Sequence, residues 1–294
     1  MNRPKLIILV GPPGAGKTTY AHKYIEEHSG TVHLSSDGIR KELHGDESIQ
    51  DNPGEVFAVM QKRAVEGLNF GYDVIYDATS MTRKDRAGII AACPKFAKIE
   101  CHIVWAPIET CIERDSTRKR TVGKEVIDRM LKRFQAPYYD EGFHEIKVIY
   151  TTNFNWNEYM CNSYSAMKIQ HDNPHHTLNV YEHCCAAQDY IYDSDKDDTG
   201  RIAIAAFVHD IGKPYTKSFI DNKGNACDTA HYYQHQCVGA WISYGLFGDT
   251  LPIDVAWLVS THMDPFLNTK YYNKLPAYLK KQIDLLHEAD LAAH

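Results

Sequence analysis

The sequence lacks any CxxC spacing. Its eight cysteines are scattered, and Cys184 and Cys185 are adjacent, a placement that rarely bridges. A disulfide framework and a thiolate zinc cage are both disfavoured, and the expectation is a reduced, cytoplasmic chain with free thiols. Long apolar runs are missing too. No stretch approaches the ~18 residues of a membrane helix, and the N-terminal apolar run (residues 6–10) stops after five, so neither a signal peptide nor a membrane span is expected. Excess positive charge is also absent: 32 Lys+Arg against 38 Asp+Glu leave a net charge of −6. Without a global basic footprint, any contact with nucleic acid must be local. Internal repeats and low-complexity tracts do not occur.

What is present suggests two domains, since 294 residues exceed most single cores. The second has a compositional mark: ten of the sixteen histidines fall within residues 171–294. The strongest motif is in the first half. Residues 11–18 read GPPGAGKT, a complete G-x-x-x-x-G-K-[ST], preceded by the apolar run and followed by Tyr20, Ala21, Tyr24 and Ile25 at helical spacing. Strand, glycine loop and helix N-terminus together make a nucleoside triphosphate site. Backbone N–H groups of Gly11, Gly14, Ala15, Gly16, Thr18 and Thr19 can face phosphate oxygens. Lys17 reaches the outer phosphates, Thr18 offers a hydroxyl to Mg²⁺, and the helix dipole favours the anion.

The rest of the first half alternates strands and helices. Strands are expected at 31–34, 73–76, 101–105 and 145–150, with helices at 19–28, 55–68 and 107–117. That alternation predicts an α/β domain with a parallel sheet and helices on both faces. Residues at the carboxyl ends of the strands should line the ligand crevice. Asp37 and Arg40 follow the second strand, either as a general base with an anion ligand or as an N-cap aspartate with a surface arginine. Asp77 ends the third, placed to act on Mg²⁺ through water or to cap a turn. Residues 114–133 carry eight Lys/Arg against three acids. Most belong to a solvated face, but Arg114, Arg118 and Arg120 sit at a helix junction that can fold over a transferring phosphoryl group, Arg118 foremost.

The glycine loop, Asp37-x-x-Arg40, Asp77-Ala-Thr and Arg114-x-x-x-Arg118 resemble the kinase module of phage-type polynucleotide kinase–phosphatases, over residues 1–152. The resemblance implies that Asp37 takes the proton of a 5′-hydroxyl, Arg40 engages the acceptor's phosphate and Arg118 contacts the donor phosphates. Small-molecule kinases share these elements.

Residues 151–165 are rich in Asn and aromatics and read as a packed connector. From Pro174 onward strand signals largely stop. His183 is expected on a helix starting near Pro174, with His176 as an alternative ligand seven residues earlier on the same face. Residues 209–214 read HDIGKP, His231 and His235 are expected one helical turn apart, His262 follows an apolar run, and Asp290 lies near the end of a C-terminal helix, where packing must hold it. Imidazoles and carboxylates suit a divalent transition metal.

His183, His209-Asp210 and Asp290 resemble the H…HD…D signature of the HD phosphohydrolase superfamily, and His235 and His262 fall where binuclear members carry two further ligands. The resemblance implies an all-α HD domain over residues 166–294 with one or two divalent metals (Mn²⁺, Mg²⁺, Fe²⁺, Co²⁺ or Ni²⁺), Asp210 bridging them or orienting the nucleophile, and Lys213 on the scissile phosphate. His175, His231 and His287 are read as supporting residues. The expected activity is bifunctional end healing: a 5′-hydroxyl kinase using ATP or another NTP with Mg²⁺, and a 3′-phosphatase or 2′,3′-cyclic phosphoesterase. The expected partners are RNA ends rather than DNA ends, with a ligase acting downstream. The alternatives are a metabolite or nucleoside kinase fused to a nucleotide phosphohydrolase, and a nucleotide-gated sensor with a non-catalytic second domain.

Overall fold

The run KLIILV is apolar at every position after the first, a pattern suited only to a strand covered on both faces. In the computed structural model, which describes residues 3–49, 51–172, 177–194, 200–247 and 252–293, it is the middle strand of a sheet. The chain runs β1 (Lys5–Val10), α1 (Lys17–Glu27), β2 (Thr31–Ser35), α2 (Ser36–His44), α3 (Pro53–Asn69), β3 (Asp73–Asp77), α4 (Arg83–Ala92), β4 (Lys98–Trp105), α5 (Ile108–Ser116), α6 (Lys124–Leu131) and β5 (Glu145–Tyr150). It continues through α7 (Trp156–Ala166), α8 (Val180–Ser194), α9 (Arg201–Val208), α10 (Lys213–Thr216), β6 (Ser218–Ile220), β7 (Ala226–His231), α11 (His235–Ser243), α12 (Pro252–Thr261), α13 (Asp264–Leu267), α14 (Thr269–Tyr272) and α15 (Ala277–Ala292). The described residues group into two compact units, one of residues 1–127 with 137–153, the other of residues 128–136 with 154–294.

In the first unit the sheet order is β2-β3-β1-β4-β5, all parallel, flanked by helices. Parallel neighbours need crossover connections, and each one here carries a helix. The glycine loop, the start of α2, Asp77 and Thr151 therefore all emerge at the carboxyl edge. Ser35 caps α2 by accepting from the Gly38 N–H (3.1 Å), and Gly45 ends it in the left-handed region. Asp37 is not the N-cap, then; it stands in the first turn, where a carboxylate is favoured by the helix dipole.

In the second unit α8 packs on α9 and α15, and α12 on α9 and α11. Trp241 of α11 and Trp257 of α12 are fully buried. Phe134, from the 128–136 segment, meets Trp241 edge-on (centroids 5.4 Å apart) and Tyr244 (6.1 Å), while the Ala136 N–H donates to Ser260 Oγ (3.2 Å). Helices dominate, as the histidine-rich half predicts, with the short antiparallel hairpin β6–β7 added. Part of the connector is the helix α7, capped by Asn155 (3.2 Å to the Glu158 N–H). The helix bearing His183 starts at Val180 rather than near Pro174, because Asn179 and Glu182 cap each other reciprocally (2.9 and 3.1 Å). His175 and His176 lie outside the described residues. His231 and His235 do not share a helical turn: His231 ends β7 and His235 opens α11, with Gln234 between them at φ 64°. No described helix is long and apolar enough to cross a membrane.

A buried charge, Glu100, sits inside the sheet. Glu100 on β4 lies 2.9 Å from Lys5 Nζ and 3.7 Å from Lys147 Nζ, and accepts from His102 Nε2 at 3.3 Å. Burial pushes His102 below its usual range, so at pH 7 it is a neutral imidazole that donates to Glu100 and accepts from Tyr20 Oη (2.7 Å). The His102 hydrogen bond, and then Lys5 and Lys147, hold the Glu100 carboxyl down to about 2 despite its burial. A depressed carboxylate stabilises the fold fully above its unfolded value of 4.5 and loses that contribution as pH falls toward about 2. Replacing Glu100 with Gln is expected to cost roughly 2 kcal/mol at pH 7, a figure trimmed for the part-exposed lysines. Denaturant unfolding of both proteins should show the difference closing between pH ~4.5 and ~2.

Candidate functional site

The glycine loop is held from three sides. Gly11 N–H donates to Thr79 O (3.1 Å), Thr151 Oγ1 donates to Ala15 O (2.7 Å), and a Cβ on Gly14 would stand 2.1 Å from the Cys111 carbonyl oxygen. Gly14 is also at φ 80°, so both conformation and space require glycine there. Helix α1 has no acidic residue in its first turn, which leaves its N-terminus open to an anion. Lys17 Nζ donates to Pro12 O (3.0 Å). Burial pushes its ammonium below the ordinary lysine range, Asp77 and Asp37 oppose this, and the Arg118 charge adds to it. Thr18 Oγ1 donates to Asp77 Oδ2 (2.9 Å), and His33 Nε2 lies 3.1 Å from the same oxygen. Thr19 is exposed on the first turn of α1.

Beside the loop, Arg40 donates to Asp37 Oδ1 at 2.6 Å; the arginine is buried and the carboxylate half-exposed. Arg120 reaches the same oxygen at 3.8 Å and donates to Glu47 O (2.8 Å). Arg118 lies 3.2 Å from Asp115 Oδ1, while Asp115 Oδ2 accepts from the N–H groups of Val122 and Gly123, both at 2.9 Å. Arg114 donates to the hydroxyl (3.1 Å) and carbonyl (2.9 Å) of Thr151 and so anchors the junction rather than lining the crevice. Three residues overlooked in the sequence thus shape the site. Thr151 follows a strand's carboxyl end and was findable by that rule; His33 and Asp115 carry no motif.

The histidines gather in the second unit. His183 of α8, Asp290 of α15, the His209-Asp210 turn after α9, His235 at the start of α11 and His262 after α12 converge. His183 Nε2 is 3.0 Å from Asp290 Oδ1 and 3.6 Å from Asp210 Oδ2, and His209 Nε2 is 3.4 Å from each of these oxygens. His235 Nε2 lies 3.2 Å from Asp210 Oδ1 and 3.1 Å from His262 Nε2. Each Nδ1 faces a backbone carbonyl: His183 that of Ala293 (3.0 Å), His209 that of Ala206 (2.7 Å), His235 that of Tyr232 (2.9 Å), His262 that of Val259 (2.8 Å). An Nδ1–H donated outward leaves the Nε2 lone pair facing the centre, as in metal-ligating histidines. The turn can approach α11 only because residue 212 is Gly: a Cβ there would stand 2.0 Å from the His235 carbonyl oxygen.

Electrostatics follow from this crowding. Burial opposes charge on Asp210, yet Lys213 (2.5 Å) and His209 hold it well below the usual carboxylate range. His209, equally buried, is held well above the usual imidazole range by Asp210. Burial, with His235 and His209 nearby, pushes His262 down to about 3. Asp290 is held far down by His183 and His209 against its own burial. His171, absent from the sequence reading, lies 3.1 Å from Lys213 Nζ; burial, and then the Lys213 charge, bring it to about 4.

Residues 6–137 match the AAA domain family, and residues 175–292 match the HD domain family. The chain joins a P-loop kinase module to an HD domain. Among solved structures, a chain of the Pnkp1/Rnl/Hen1 complex is similar at 26% identity, with 42% of this chain and 43% of that chain covered and a TM-score of 0.37. A gluconokinase from Sinorhizobium meliloti 1021 is similar at 16% identity (52% and 86% covered, TM-score 0.38), and a fungal RNA kinase at 13% (52% and 76%, TM-score 0.37). The chain spans less than half the length of the first of these. Comparison with curated proteins finds no match.

An HD domain implies a divalent metal, and the residues present fit one. The ligand atoms of His183, His209 and Asp210 lie within 4.8 Å of one another, as do those of Asp210, His235 and His262. Among the described residues, buried His209 Nε2 makes no well-formed hydrogen bond, its nearest acceptors being the Asp210 and Asp290 oxygens, each at 3.4 Å. The facing Nε2 atoms of His235 and His262 place two lone pairs 3.1 Å apart, an arrangement that a shared cation relieves. Titrating Mn²⁺ into the metal-stripped protein by calorimetry is expected to show two sites, with one lost in His262→Ala and both weakened at least tenfold in Asp210→Asn.

Proposed function

We propose that the protein heals nucleic-acid ends in the cytoplasm, RNA in preference to DNA. Its P-loop module would phosphorylate a 5′-hydroxyl from ATP or another NTP with Mg²⁺. Its HD domain would remove a 3′-phosphate or open a 2′,3′-cyclic phosphate, leaving ends that a ligase joins. The observation that carries this reading is the Asp37–Arg40 pair beside the triphosphate loop, 2.6 Å apart with Arg120 at 3.8 Å. A carboxylate able to take a hydroxyl proton stands next to cations able to hold a neighbouring phosphate. A nucleic-acid 5′ end presents that combination; a free sugar does not.

In the transfer, the hydroxyl oxygen attacks the γ-phosphorus as Asp37 accepts its proton. The bond from the γ-phosphorus to the β,γ-bridging oxygen breaks, and the nucleoside diphosphate leaves. Lys17 and Arg118 would carry the charge that builds on the phosphoryl oxygens, and Thr18 with Asp77 would hold Mg²⁺, which supplies charge neutralisation when bound. In the HD domain, His183, His209, Asp210 and Asp290 would hold one divalent ion and Asp210, His235 and His262 a second. Bound there, the ions supply Lewis-acid polarisation of the phosphate and a more acidic water. Lys213 would hold the phosphate.

The net charge of −6 favours the rival acceptor, a nucleoside or metabolite, so both classes belong in the test. RNA bearing a 5′-hydroxyl and a 3′-phosphate, given ATP, Mg²⁺ and Mn²⁺, is expected to gain a 5′-phosphate and lose its 3′-phosphate. Lys17→Ala or Asp37→Ala should cut 5′ phosphorylation by at least a hundredfold and spare phosphate release, and Asp210→Ala should do the reverse. Transfer to a nucleoside panel but not to RNA would sink the end-healing reading. Undiminished hydrolysis in Asp210→Ala would reassign the second site.

A further inference from the structure

We infer that His171 is a positioning residue for the phosphate-binding lysine of the HD domain: its Nε2 accepts from the Lys213 ammonium and fixes where that charge stands. The inference rests on the reading of Lys213 as a phosphate ligand. His171 lies before α8, outside the HDIGKP motif, and is buried to within 1%. Its Nδ1 faces the Leu178 carbonyl at 2.9 Å, so the proton is spent there and the Nε2 lone pair is the acceptor 3.1 Å from Lys213 Nζ. Its backbone is tied as well, since the Tyr232 hydroxyl donates to the His171 carbonyl.

An ammonium has three donors on a flexible stem, and a lone partner does not fix it. Lys213 meets Asp210 Oδ2 at 2.5 Å and His171 Nε2 at 3.1 Å, with the Tyr232 ring 5.4 Å away. Two partners of different kind fix two of the N–H directions, so the third is set by the tetrahedral geometry of the ammonium. Without His171, Lys213 would still pair with Asp210 but could turn about that contact. The ring also meets His183 edge-on (centroids 5.5 Å apart), so a test must separate packing from hydrogen bonding.

His171→Phe keeps an aromatic ring against His183 and removes the acceptor, whereas His171→Gln can return an acceptor oxygen near the Nε2 position. The full-length protein loaded with Mn²⁺ is titrated with inorganic phosphate, and Mn²⁺ affinity and melting temperature are measured on the same samples. Expected is about tenfold weaker phosphate binding in the Phe variant, within about threefold of the parent in the Gln variant, with Mn²⁺ affinity and melting unchanged in both. Phosphate binding in the Phe variant as tight as in the parent overturns the role of His171 and leaves that of Lys213 standing. Lys213→Ala is titrated alongside, and if it binds phosphate as tightly as the parent, the reading of Lys213 fails and the positioning role with it. Equal weakening in Phe and Gln alongside lowered Mn²⁺ affinity also overturns the proposal, since His171 would then act through His183.

Discussion

Asp210 is a carboxylate sealed from water, and the arrangement of the histidine-rich half follows from that constraint. A buried anion without partners is far too costly for a marginally stable fold. Its partners come from three directions: His183 from α8, His209 and Lys213 from its own turn, and His235 from α11. Each partner needs an orientation, and backbone carbonyls supply it through the Nδ1 atoms. At Ala206, Val259 and Ala293 these carbonyls lie at the C-terminal ends of helices, so there the satisfaction of the helix and the aim of the imidazole are one arrangement. Gly212 allows the approach.

The P-loop half solves a related problem by other means. There the anion is to be the ligand's, and the backbone of a glycine loop and one helix N-terminus wait for it. The chain's own carboxylates are kept beside cations or hydroxyls at the same edge: Asp77 against Thr18 and His33, Asp37 against Arg40, Asp115 against Arg118. Opposite charges alternate around the crevice, which lets an acidic protein prepare a place for a polyanion without a basic surface.

Much of this was readable in the sequence, and the division between what was and was not is physical. The glycine loop, HDIGKP and the strand-end aspartates stand out because the chemistry demands certain residue types at fixed local spacing. The five sheet strands were readable as short apolar runs, β1 having no polar residue after its first, whereas α4 and α6 were not singled out. Thr151, His33 and His171 were passed over because each works through a partner distant in the chain, and nothing in its neighbours marks it. Helical spacing misled at His231 and His235, where one left-handed residue, Gln234, turns an apparent i,i+4 pair into the end of a strand and the start of a helix. The starts of α7 and α8 were missed or misplaced because asparagine caps set them rather than the apolar pattern.

The allocation of residues 128–136 to the second unit bears on how such a chain can be taken apart. The polypeptide enters that unit, leaves to make β5, and enters again at Phe154. Two crossings join the halves before the connector is reached, and Phe134 is packed against Trp241 and Tyr244 on the first. A single cut at the connector would therefore divide one aromatic cluster between two products. In topological terms the halves are interleaved rather than strung in series, and a genetic exchange that swapped one of them at that point would inherit a hole in one core and a stray aromatic on the other piece.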